Sequence, residues 1–144
     1  MGRLLCVCLV VLCALPVAAQ DVAPVTFTKQ IRQFLMQGDD TVKVDMTVTF
    51  TAATVTFVPI KKADPIDVPY TAMTSLVYDR RSRVRKLFGP RTGKAEDHFL
   101  TIQYKTSTGR GEYIEVEMGK DTAPRMIATL EARSGIKIER ASGS

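Results

Sequence analysis

The chain has one histidine and no asparagine, and its three cysteines (Cys6, Cys8 and Cys13) all fall near the N-terminus. A domain built from the rest of the sequence has no disulfide staple, no thiolate nucleophile and no cysteine-ligated metal. With His98 as the only imidazole, a zinc centre would have to be completed by carboxylates. Without asparagine there is no N-glycosylation acceptor. Asp39, Asp40 and Asp45 miss the spacing of a calcium loop. Gly119-Lys120-Asp121 lacks the upstream glycine and following hydroxyl residue of a phosphate loop. Long apolar runs are also missing, apart from one: Leu4 to Leu15.

That run has the grammar of a secretory leader. Met1-Gly2-Arg3 is a short basic start, Pro16 breaks the apolar stretch, and Val17-Ala18-Ala19 places small residues before Gln20. Spanning a bilayer takes roughly 20 apolar residues, so the run is too short for an anchor. Cys13 follows Val11-Leu12, which does not match a lipoprotein signal. The expectation is a leader over residues 1–19, cleaved on export, and a single domain over 20–144 without a transmembrane segment, secreted or periplasmic. That length can bury about two-thirds of its chain surface.

Within the domain the dominant period is two. Val42, Val44, Met46, Val48 and Phe50 alternate with polar residues across 41–51, which predicts a strand with one buried face. Ala52-Ala53 separates it from a second β-rich run, 54–60, although Ala-Ala is not a favoured turn pair and the loop could extend into Thr51 or Thr54. Further strands are predicted at 66–68, at 76–78 continuing in some form through 83–88, at 99–105 and at 112–118. Residues 70–75 form a helical turn or bend, 89–95 a turn-rich connection and 106–111 a hairpin loop. Residues 25–37 fit either a long bent strand or a helix, with the strand preferred.

Near the C-terminus the period changes. Ala123, Met126, Ile127, Leu130 and Ser134 form one helical stripe, with Asp121 as the expected N-cap and Gly135 at the left-handed C-terminal cap. The fold class is therefore mainly β with one C-terminal α-helix. Six to seven strands form an antiparallel barrel or curled sheet that the helix caps.

This order of elements resembles the pleckstrin-homology-like domains, including GRAM and bacterial PH domains. The resemblance covers most of residues 25–138. It rests on the paired runs Thr41–Phe50 and Thr54–Ile60, on Ile66-Asp67-Val68-Pro69-Tyr70 leading to Met73, Leu76 and Val77, and on Leu130-Glu131-Ala132-Arg133-Ser134-Gly135. It implies a module that binds lipid head groups, peptides or proteins. Lipid-binding members in eukaryotes use a basic loop between their first two strands. Here that region, Gly38-Asp39-Asp40, is acidic, so no site residue is carried over.

Candidates for catalysis are sparse. His98 would need a serine such as Ser75, Ser82 or Ser107 for triad chemistry. Its neighbour Asp97 points to the opposite face of a strand and could not orient it. Glu115 and Glu117 share a strand face roughly 7 Å apart, a spacing that acid–base work can use but that the wet face of an amphipathic strand also produces. No catalytic residue, cofactor or metal is assigned.

The compositional anomaly is residues 79–94. Arg80, Arg81, Arg83, Arg85, Lys86, Arg91 and Lys94 stand against one local acid, Asp79, in a chain of formal net charge +5, so the rest of the domain is slightly acidic. Guanidinium forks suit carboxylates and phosphates. The segment is a contact for an anionic partner (an acidic protein, a lipid head group or an envelope polymer), or else a solvated edge whose charges block strand addition. Nucleic acid is disfavoured because no aromatic platform interleaves with the arginines. The resulting reading is an exported, non-catalytic binding or scaffold domain. The alternatives are a structural homo-oligomer of the envelope and a small hydrolase using His98 or Glu115 and Glu117.

Overall fold

A computed structural model describes residues 22–28, 30–37, 40–60, 64–86 and 92–141. The expected leader and Arg91 lie outside these residues. Nine strands form one sheet: β1 (Val25–Phe27), β2 (Ile31–Gln37), β3 (Asp40–Phe50), β4 (Thr54–Pro59), β5 (Ile66–Pro69), β6 (Met73–Lys86), β7 (Thr92–Lys105), β8 (Gly111–Met118) and β9 (Glu139–Arg140). A 3₁₀ turn, Tyr70–Ala72, links β5 to β6, and the helix α1 spans Ala123–Ser134.

The strand order is β5-β4-β3-β2-β8-β7-β6-β9, with β1 also on β3. The seven strands β2 to β8 are the expected curled sheet; β1 and β9 are additions at its margins. The sheet is not a closed barrel, because its path ends at β5 and β9 without a pairing between them. Strand β3 belongs to both halves. Residues 40–45 pair with β2, whereas Met46–Phe50 pair with β4 and Val48–Phe50 with β1.

Residues 25–37 are thus strand, interrupted at a bend. Gln30 sits there at φ 59°, a conformation uncommon outside glycine. The Gly119 N–H donates to the Gln30 carbonyl at 2.8 Å. A Cβ on Gly119 would lie 2.7 Å from the Cβ of Gln30, closer than real Cβ atoms approach. Glycine is required there by this contact.

The Ala52-Ala53 turn is stable because Thr51 supplies what alanine lacks. Its hydroxyl accepts from the N–H groups of Ala53 (3.3 Å) and Thr54 (3.0 Å), the local capping that Thr can provide. The inward residues of the strands, among them Met46, Val48, Phe50, Val55, Phe57, Leu76, Leu100, Ile102, Ile114 and Val116, form the core together with Met126 and Leu130 of α1. Burying each such side chain contributes roughly 1.5–3 kcal/mol.

Arg133 fastens the helix to the sheet. Its guanidinium donates to the carbonyls of Phe50 (2.7 Å), Thr51 (2.6 Å) and Ala23 (2.7 Å). Tyr70 adds a hydrogen bond to the Thr51 carbonyl at 3.0 Å. Burial raises the Tyr70 pKa, with Arg133 acting in the opposite sense.

Two expectations need correction, and one element is new. The residue preceding the helix is Thr122, not Asp121, and the chain enters through a backbone turn in which the Gly119 carbonyl accepts from Thr122 and Ala123. Residues 92–95 are strand, because β7 stays paired with β6 out to Lys86↔Thr92. The segment after Ile138 forms β9, parallel to β6 with Tyr78↔Arg140 in register. Gly135 does close the helix, at φ 71°.

Candidate functional site

The basic residues gather on the β6–β7 hairpin. Pairing of β8 with β7 ends at His98↔Met118, and pairing of β9 with β6 ends at Tyr78↔Arg140. Beyond those points, from Arg81↔Asp97 to Lys86↔Thr92, the two strands pair only with each other among the described residues. A two-stranded ribbon therefore extends past its neighbours, and it carries Arg80, Arg81, Arg83, Arg85, Lys86 and Lys94 against the acids Glu96 and Asp97. Only Arg80 and Arg81 have described side chains within that set.

Strand alternation sends those two to opposite faces. Arg81 lies on the outer face and is held by Asp79 at 2.8 Å and by Glu115 at 3.1 Å. Its guanidinium stacks over the Phe99 ring at 4.1 Å. Hydrogen bonding to Glu115 raises its pKa, Asp79 acts in the same sense, and burial opposes both. Arg81 is thus already paired inside the protein. Arg80 turns toward α1 and has only a 4.0 Å contact with Glu96.

The outer face continues across the sheet. Phe99 meets Phe34 at 6.0 Å between ring centroids, and Lys43 covers Phe34 at 4.8 Å. Lys43 also pairs with Glu117 at 2.9 Å. Two adjacent aromatic rings therefore lie between two cations in a row, Arg81–Phe99–Phe34–Lys43, with Glu115 and Glu117 neutralising the two ends. Phe99 is only 6% exposed although it lies opposite the core.

This arrangement separates the candidate catalytic groups. Glu115 and Glu117 lie on the outer face, each bound to a cation. His98 has the parity of Leu100 and Ile102 and points inward, 7% exposed. Its Nδ1 is 2.6 Å from the Tyr78 hydroxyl, and its buried Nε2 has no hydrogen-bond partner among the described residues. The two carboxylates and the imidazole do not share a site.

Between β6, β9 and α1 lies a cleft of about 410 Å³, lined by Tyr78, Arg80, Ile127, Ala128, Glu131 and Arg140 among others. The Tyr78 pKa is raised by burial, and the charges of Arg80 and Arg140 pull it down again in part. Arg140 was not legible as a site residue, because it belongs to a strand too short to show a period. Among the described residues there is no cluster of three metal-binding side chains, and no helix is long and apolar enough to cross a membrane.

No family model matches the chain, and no curated protein matches it. Among solved structures it is similar to a chain of the Spt16D–Pob3N heterodimer, with a TM-score of 0.52 and 10% identity. The match covers 83% of this chain and 56% of that one, so the chain spans just over half the length of its neighbour. At that identity the likeness concerns fold alone, and it supports the pleckstrin-homology-like architecture.

Proposed function

We propose that this chain is an exported, non-catalytic binding or scaffold domain that meets an anionic partner through the free end of its β6–β7 ribbon. The observation that carries this reading is the projection of a cation-rich hairpin past every strand that flanks it. A two-stranded ribbon alone is marginally stable, and repulsion among its like charges costs more. An oppositely charged surface would relieve that cost. An acidic protein is favoured over a lipid head group or an envelope polymer, because the structural neighbour is half of a protein heterodimer. Export rests on the leader-like residues 1–19.

The test replaces Arg83 and Arg85 by Ser and leaves Arg81, which holds Glu115, untouched. Binding of the processed protein to acidic proteins, anionic vesicles and envelope extract is then measured across a salt series. Wild type should bind at least one of them in a salt-sensitive way, and the variant about tenfold more weakly. Absence of any salt-sensitive binding by wild type would end this reading.

A second reading has its own observation. Among the described residues strand β5 pairs only with β4, and beside it Val58 and Ile60 are exposed. An unpaired edge beside apolar side chains could join two copies of the chain. A scattering mass that stays monomeric as concentration rises would dispose of it.

A further inference from the structure

We infer that the cleft between β6, β9 and α1 is a binding site for a small amphipathic carboxylate. The argument begins with strand geometry. Tyr78 and Arg140 are partners in the parallel β6–β9 pair, so their side chains stand on one face, roughly 4.8 Å apart along the hydrogen-bonding direction. Arg80 follows Tyr78 on the same strand and the same face, two positions further on. Two guanidinium groups and a phenol thus border one opening.

The opposite wall is apolar. Ile127 and Ala128 of α1 line the cleft, together with Pro124. The volume of about 410 Å³ falls within the usual range of small-molecule sites, ~300–1,000 Å³. One end of the cleft is cationic and the other wall is hydrocarbon, which fits a molecule with an anionic head and an aryl or short acyl body.

The charge balance points to one negative charge. Glu131 is the acid lining the cleft among the described residues, and its carboxylate is already used: Oε1 accepts the Ile138 N–H at 2.9 Å, which fixes the approach to β9. Arg140 makes no ion pair among the described residues. Arg80 has only its 4.0 Å contact with Glu96. Arg80 thus shares Glu96, Glu131 is committed to the Ile138 N–H, and Arg140 has no carboxylate of its own among the described residues; its guanidinium presents the planar fork that matches a ligand carboxylate. Behind the opening, Tyr78 is held by His98, so its hydroxyl is already oriented when a ligand arrives. The site does not depend on the ribbon reading, since Arg80 is the only residue the two share.

The probe is 8-anilinonaphthalene-1-sulfonate, an aryl monoanion whose fluorescence rises in apolar surroundings, titrated into the full processed chain. One saturable site is expected, displaced by octanoate and not by octanol. Arg140→Gln should weaken binding about tenfold. Ala128→Phe, a change at an exposed helix position, should fill the cleft and abolish the signal while the circular-dichroism spectrum is kept. The Arg83→Ser, Arg85→Ser variant should bind the probe as wild type does. Unchanged binding by Arg140→Gln, equal displacement by octanol, or full signal from Ala128→Phe would each overturn the assignment.

Discussion

Two ends of the same sheet use arginine in opposite ways. At the end where β1, β3 and α1 meet, Arg133 is surrounded by carbonyls and donates to three of them. Along the β6–β7 ribbon, six basic residues stand against Glu96 and Asp97 in the sequence, and Arg80 reaches the Glu96 carboxylate at 4.0 Å. The first arrangement spends charge on holding elements together. The second leaves Arg80 largely exposed. Arg81 marks the boundary, since it belongs by sequence to the basic run and by contacts to the structural set.

The contrast can be broken from the structural end first. Phe57, fully buried in β4, should cost ~3–5 kcal/mol on replacement by Ala, read as a lowered midpoint in urea unfolding. Next is Arg133→Met, which keeps much of the side-chain length and removes the donors. Hydrogen bonds from a charged group are worth about 1.5–3 kcal/mol each and do not add fully, so a loss of about 3 kcal/mol is expected. A loss no larger than that of a surface substitution would show that the clamp is ornamental. Gly119→Ala forces a new methyl onto Gln30 and should cost about 1–3 kcal/mol by overpacking, measured by thermal melting.

The smallest effect concerns alkaline pH. The Tyr70 pKa is raised in the folded state from its ordinary 10.0. The neutral phenol is therefore favoured on folding. The associated stability is complete below pH 10 and is lost as pH climbs through the folded value. Tyr70→Phe should flatten this alkaline decline. An identical slope in wild type and variant would place the titrating group elsewhere.

The legible parts of this fold were those governed by local rules. The alternation from Val42 to Phe50 needs only a half-buried surface, and Gly135 needs only a positive φ. The outward Glu115 and Glu117 followed from the same alternation. What could not be read depended on register. Asp79 seemed to be the sole acid near the basic run, yet Glu96 and Glu115 arrive from strands β7 and β8. Phe99 has the parity of a wet position, but Phe34 and Arg81 cover it. The continuation of β6 beyond Tyr78 was expected, but the early start of β7 was not, because Gly93 beside Lys94 reads as a turn although both are paired. Thr51 as the cap of an Ala-Ala turn was visible only once its hydroxyl had a place to point.

The seam between β2 and β8 joins Ile31–Gln33 to Val116–Met118, almost the first ordered strand to the last. Until Met118 has been made, β2 and β7 each keep a raw flank, and neither can be satisfied by anything earlier in the chain. The sheet can therefore be completed only once nearly the whole domain has been made.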